Sequence, residues 1–318
     1  MAVKSGVAIP ATVDDSRAGA SAHPLFAQVA PMVFVFLWST GFIGARYGLP
    51  YSEPFTYLAL RMGIATALMV GFAAVLRSGW PTSFRNAGHI AVSGLLLHAG
   101  YLGGVFFAID RGMPAGISAL IVGLQPILTA VIAIALLQEN VYGRQWVGLV
   151  MGFGGMAIVV TEQMRANDGD DTGSAVAANI AILIALLCAT AGTIYQKRYN
   201  TSMPLASGTA IQYGVTGLVI GLLAVTTESM RIEWTTAFVF ALSWQVMVLS
   251  LGAISLLMIL IRQNSVSRLS SYLYLVPPLT AIEAYLLFDE RLSLAAIGGM
   301  ALVVVGVALV VIRRTAQT

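Results

Sequence analysis

Charge is scarce in these 318 residues: Asp, Glu, Lys and Arg make up 10%, where an ordinary soluble domain has about 25%. A soluble globule of this length could not wet its surface with so few. Cysteine is nearly absent too. The single Cys188 excludes an intrachain disulfide and a four-cysteine metal site. His23, His89 and His98 have no metal-ligand spacing. No GxxxxGKS/T, HExxH, GxSxG or GxGxxG occurs, so nothing points to a nucleotide-driven pump or a hydrolase. What is present in excess is apolar: 58% of the chain. That composition excludes most cytoplasmic enzymes and nucleic-acid binders, and leaves an all-α polytopic membrane protein whose main partner is the lipid bilayer.

Residues 1–26 are rich in Ala, Ser and Gly, carry Asp14 and Asp15, and lack a continuous apolar run. They read as a disordered cytoplasmic tail and not as a signal peptide. After them, apolar runs near 27–46, 55–76, 89–109, 115–137, 145–161, 175–195, 206–226, 237–261, 270–288 and 294–312 predict ten transmembrane helices. Each is about long enough for a core of roughly 30 Å, with 145–161 the shortest. With the amino terminus inside, eleven of the 17 basic residues fall on the cytoplasmic side and five outside, with Arg61 left within a span. This is the positive-inside direction, with both termini cytoplasmic.

The chain also repeats at an offset of 151 residues. Pro126 maps onto Pro277, Glu139 onto Glu290, Gly148 onto Gly299 and Gly155 onto Gly306, and PILTAVIAIALLQE aligns with PPLTAIEAYLLFDE without a gap. The expected organisation is a five-helix repeat over 27–161, an extracytoplasmic linker over 162–174, and a second repeat over 175–318. An odd number of spans per half turns the second half upside down. The result is an inverted-topology repeat with a site near the midplane.

The run Leu37-Trp38-Ser39, then Gly41-Phe42, Arg46, Pro54 and Arg61, resembles the opening of an EamA-type domain. The runs LQPILTAVIAIALLQENVYGRQWVGLVMGFGGMAIV and VPPLTAIEAYLLFDERLSLAAIGGMALVVVGVALV resemble its ending, once per half. The resemblance covers nearly everything after residue 27 and implies the drug/metabolite transporter superfamily: two EamA copies and no cofactor. Members of that superfamily move amino acids, nucleosides, sugars and phosphates. Within it the chain resembles bacterial amino-acid exporters, YddG-like aromatic exporters among them. That implies a multi-pass protein of a bacterial inner membrane. The second copy departs from the first where Cys188-Ala189 stands in place of Trp38 and its neighbours, and where Gln212 stands in place of Arg61.

Candidate site residues follow from depth. His98 lies about nine residues, or roughly 14 Å, into its span at about 1.5 Å per residue, and Tyr101 shares its face one turn on. An ionisable residue at that depth faces protein or water. His98 is a substrate hydrogen-bond donor or a proton carrier, or else a neutral ring bonded to a helix carbonyl. Gln125 is a ligand for a carboxylate or amine, or an interhelical bond. Trp38 and Phe42, one turn apart, either stack on a substrate ring or pack in the core. Pro126 and Pro277 free backbone carbonyls deep in their spans, giving a hinge or a packing kink. Gln212 and Tyr213, with Tyr272, are candidates for an inner gate. Arg61 reads as structural, paired with Glu283 or snorkelling outward. The glycines at 148, 152, 155, 299 and 306 predict a close contact between spans five and ten, or a homodimer seam.

The sequence therefore points to a secondary transporter that exports small organic metabolites by alternating access, as a monomer or a homodimer. A membrane enzyme would need a carboxylate cluster, a nucleophile–base pair or metal ligands. A channel would need a continuous polar stripe. Phosphorylated solutes would want several buried cations, and cationic drugs a deep acid. A neutral or zwitterionic small-molecule substrate with apolar bulk remains, such as an aromatic or other hydrophobic amino acid. Nucleosides and multidrug export are the alternatives.

Overall fold

The computed structural model describes residues 24–137, 143–166, 172–253, 256 and 273–311. Tyr272, Glu139 and most of the amino-terminal tail lie outside the described residues. Among those described, all regular structure is helical apart from one isolated antiparallel bridge, Ser52 to Ile232. The helices are α1 Pro24–Gly48, α2 Pro54–Val75, α3 Phe84–Asp110, α4 Ala115–Val122, α5 Gln125–Leu137 and α6 Gly143–Ala166. They continue with α7 Thr172–Tyr199, α8 Leu205–Thr227, α9 Thr236–Ala253, α10 Val276–Phe288 and α11 Leu294–Val311.

Seven of these helices are long and apolar enough to cross a membrane alone: α1, α2, α3, α6, α7, α8 and α9. Ten were expected. The remaining three places hold shorter apolar helices, Ala115–Thr129, Val276–Phe288 and Leu294–Leu309. Ala115–Thr129 is interrupted at Gly123-Leu124, just before Pro126, and Val276–Phe288 carries Pro277 in its first turn. The expected short span at 145–161 is instead the 24-residue α6.

Local chemistry sets the helix ends. Ser83 caps α3 by accepting the Asn86 amide at 3.2 Å, and Thr235 caps α9 by accepting the Phe238 amide at 3.2 Å. Pro54 opens α2, where its missing N–H costs nothing. The Glu228 carboxylate, contributed from the end of α8, accepts the amides of Phe55 and Thr56 at 2.8 and 2.7 Å. A negative charge is favoured at that helix end. Asp289, with φ +52°, closes α10 in the left-handed region.

Packing follows the repeat. α2 lies against α8, α6 against α11, and α4 against α10. α1 packs on α9 and α10, and α7 packs on α3, α4 and α5. Under the 151-residue offset α2–α8 and α6–α11 map onto themselves, and the contacts of α1 with α9 and α10 map onto those of α7 with α3 and α5; the image of α4 lies outside the described residues. The breaks follow the same offset: α5 and α10, Gln125–Leu137 and Val276–Phe288, have bounds that differ by 151 at both ends. A third feature also matches, one that hydropathy does not report. α3 widens into a π-helical turn over Leu95–Gly100, and α9 does so over Trp244–Ala253. The second contains the offset image of the first.

Glycine seals the α6–α11 contact. A Cβ on Gly155 would lie 2.5 Å from the Gly299 carbonyl oxygen, and one on Gly306 would lie 2.6 Å from that of Gly148. The expected seam between spans five and ten is therefore an intramolecular one. Outward faces are apolar: Leu218, Leu222 and Val225 share an exposed stripe of α8, as lipid-facing residues do. Trp80, Trp146 and Trp234 stand exposed at or near helix ends, where indole sits at a membrane interface. The molecule is a multi-pass helical membrane protein.

Candidate functional site

The widened turn of α3 carries His98 and delivers Tyr101 at its end. All six residues from Leu95 to Gly100 are half-buried. π turns displace side chains from the ordinary helical register and recur at functional sites. Facing this turn is α8, whose Tyr213 ring meets His98 edge-to-face at 4.9 Å between centroids. Gln212, next to Tyr213 on α8, interacts with His98 as well. The Tyr213 hydroxyl donates to the Ser250 carbonyl at 3.3 Å, which ties α8 to the π turn of α9.

Arg61 of α2 stands in the middle of this group. Its Nε and Nη2 both donate to Ser250 Oγ at 3.3 Å. Tyr57, Tyr101, Tyr213 and His98 are its electrostatic neighbours. The side chain is 7% exposed. The expected pairing with Glu283 does not occur, and neither does snorkelling. Glu283 accepts from Ser39 Oγ at 2.8 Å across the α1–α10 contact, and its Oε2 is buried without a partner. Counting residues from the end of α2 locates the Arg61 Cα, but the guanidinium reaches well beyond it. Depth along α2 therefore does not reveal that Arg61 reaches Ser250 of α9.

Two polar layers flank the cluster. Toward the expected cytoplasmic side, Ser93 Oγ accepts from Gln212 Nε2 at 2.9 Å and from Asn200 Nδ2 at 2.8 Å, and Gln212 also donates to Gln196 Oε1 at 3.0 Å. His89 stacks on Tyr199 at 4.5 Å and bonds the Tyr195 hydroxyl at 2.7 Å. Toward the other side, Arg46 Nε pairs with Glu290 at 3.2 Å, and Glu290 also accepts the Ala115 amide at the start of α4 at 3.0 Å. Burial holds the Glu290 carboxyl above its ordinary value despite Arg46 and that amide.

The other candidates are distributed around this core. Trp38 is half-buried against Phe34 at 5.3 Å, whereas Phe42 is 4% exposed within the packed interior. Gln125 spends its amide N–H groups on α7, donating to Ala189 O at 3.3 Å and Thr193 Oγ1 at 2.7 Å. That is the interhelical arrangement. Pro126 follows the Gly123-Leu124 turn that separates α4 from α5. Pro277 packs against that same turn: a Cβ on Gly123 would lie 3.0 Å from the Pro277 Cγ. The two breaks therefore touch. The structure thus brings His98, Tyr101, Gln212 and Tyr213 together, and adds Arg61 and Ser250. It leaves Trp38, Phe42 and Gln125 outside that group. Ser250 had no sequence signal, since one serine in an apolar span is common.

Residues 25–161 and again 176–312 match the model of the EamA-like transporter family. Among curated relatives, the "Uncharacterized transporter YvbV" of Bacillus subtilis is 26% identical over 294 residues, covering 89% of this chain and 90% of that one. The "Probable amino-acid metabolite efflux pump" of Escherichia coli is 23% identical over 289 residues, covering 87% and 92%. The "Uncharacterized inner membrane transporter YedA" of the same species is 25% identical over 271 residues, covering 85% of each. A solved structure described as "Crystal structure of protein" matches with a TM-score of 0.63 at 18% identity, covering 89% of this chain and 96% of its own, and speaks to fold alone. With both halves matched and a two-fold pattern of breaks, turns and glycine contacts, this chain belongs to the EamA-like transporter family.

Proposed function

We propose that the protein is a secondary transporter of a bacterial inner membrane that exports amino acids, hydrophobic and aromatic ones foremost. Its ten spans form two inverted five-helix halves, and both termini face the cytoplasm. Transport proceeds by alternating access, the halves rocking about the cluster between α2, α3, α8 and α9. The observation that carries this reading is the make-up of that cluster. Arg61, His98 and Tyr101 come from one half and Tyr213 and Ser250 from the other. A solute held there is held by both halves at once, so a relative movement of the halves moves its access from one side to the other. Aromatic walls with a few convergent polar groups suit a small solute with apolar bulk. The relative named as a probable amino-acid metabolite efflux pump supports the amino-acid class.

The test is counterflow into proteoliposomes loaded with a panel of amino acids, run with and without a pH gradient. Saturable exchange of phenylalanine, leucine or a related residue is expected. A protein that exchanges no amino acid, or one that passes single-channel current in a planar bilayer, sinks the reading.

A further inference from the structure

We propose that Arg61 is the anion-binding centre of this protein and holds the carboxylate of the transported solute. The inference rests on the cluster being the transport site and goes further, to the chemistry the solute must carry.

Arg61 is a buried cation without a counter-ion among the described residues. The groups that face it come from every element around it: Tyr57 on its own helix, His98 and Tyr101 on α3, Tyr213 on α8, and Ser250 on α9. None is a carboxylate. No described ion pair includes Arg61, and residues 254–272, which follow α9, contain no Asp or Glu. Glu283, in α10, is engaged by Ser39. Nor does neutral bonding satisfy the guanidinium. Nε and Nη2 share one acceptor, Ser250 Oγ, whose own hydrogen bond goes to the Gln245 carbonyl at 3.2 Å. Nη1 has no partner among the described residues. The Tyr101 hydroxyl has none either, whereas those of Tyr57 and Tyr213 are spent on the carbonyls of Gly44 and Ser250.

Taking a guanidinium out of water is costly, and only an opposite charge in close geometry with further hydrogen bonds offsets that cost. Here the open donors, Arg61 Nη1 and Tyr101 Oη, belong to side chains that interact electrostatically. This set of donors suits a carboxylate, which accepts from two donors and pairs with arginine's planar fork. A single cation does not match the several charges of a phosphate ester. It opposes the binding of a cationic drug. A nucleoside has no anionic group to offer it. The solute is therefore a monocarboxylate with apolar bulk, and an α-amino group is optional for this contact.

The experiment uses the full chain in proteoliposomes and three probes: L-phenylalanine, its methyl ester, and 3-phenylpropionate, which lacks the amine. Half-saturation constants for counterflow are compared in wild type, Arg61→Lys and Arg61→Gln. In wild type, phenylalanine and 3-phenylpropionate should be exchanged, and the ester should require at least tenfold higher concentration. Arg61→Lys should raise the constants for the two acids about tenfold and leave the ester's unchanged. Arg61→Gln should abolish the preference for acid over ester. A purely structural arginine would lower transport of acid and ester together. If Arg61→Gln does not fold, the wild-type and lysine measurements still decide. Equal exchange of ester and acid in wild type overturns the anion site and leaves the transport reading standing. Exchange of none of the three overturns both. Exchange of phenylalanine without 3-phenylpropionate, with the ester equally active, assigns recognition to the amine and overturns the proposal.

Discussion

His98, Gln125 and Glu228 illustrate three ways in which a single side chain matters here. In the proposed site His98 presents an imidazole beside Tyr213, so on that reading His98→Ala removes one hydrogen-bonding group and leaves the helices packed. A loss of about 0.5–1.5 kcal/mol, several-fold in apparent affinity, is expected in counterflow below half-saturation. Expression should be unchanged, and a wild-type rate would remove His98 from the site. Gln125 is bonded to α7, so Gln125→Ala should lower the melting temperature as well as transport. Glu228 caps α2 from a distance, and Glu228→Ala should cost about 0.5–2 kcal/mol of stability, read as a lower melting temperature in detergent. Its neighbour Glu53 gives a pH signature. The amide of Ser229 holds the Glu53 carboxyl below its ordinary value of 4.5, with the Ser229 hydroxyl adding to it. Stability from that contact is complete above 4.5 and is lost as pH falls through the lowered value. Wild type and Glu53→Gln should therefore converge in melting temperature only under acid conditions. At this scale the sequence was readable where position along one helix decides, as for His98 and Tyr101, about one turn apart. It was opaque where reach decides: a long side chain put Arg61 among residues from three other helices.

Elements were legible as apolar runs, and their pairing was legible as a repeat. The glycines at 148, 155, 299 and 306 were read as one seam because small residues at fixed spacing have few other uses in lipid. The two π turns were not legible, because a single extra residue per turn leaves hydropathy unchanged. Prolines marked the breaks, but their partner was hidden. The turn at Gly123 needs no side chain because the Pro277 ring occupies that space. The seam makes a sharp comparison within one helix. Gly155→Ala pushes a methyl into the Gly299 carbonyl, whereas a Cβ at Gly154 meets nothing within 4 Å. Gly155→Ala should reduce the folded fraction surviving heating, as measured by size exclusion. Gly154→Ala should be neutral or slightly stabilising, since alanine favours helix over glycine by about 0.5–1 kcal/mol. Equal behaviour of the two variants would disprove the close contact.

For the whole molecule the decisive quantity is orientation. Basic residues crowd the loops assigned to the cytoplasm, so a fluorescent-protein fusion at Thr318 should be bright and an alkaline phosphatase fusion there inactive. The reverse would dismantle the inverted arrangement. The seam of α6 and α11 then has a consequence for how such a molecule is assembled. Gly155 meets Gly299 and Gly148 meets Gly306, and each contact is the image of the other under the 151-residue offset. Such self-complementary matching is what an isologous dimer interface looks like. The covalent link between α6 and α7 is then a convenience for this contact and not a requirement. Residues 1–168 and 169–318, expressed as two polypeptides in one cell, should find each other and co-purify through a tag on either. Gly155→Ala in the first should dissolve the pair.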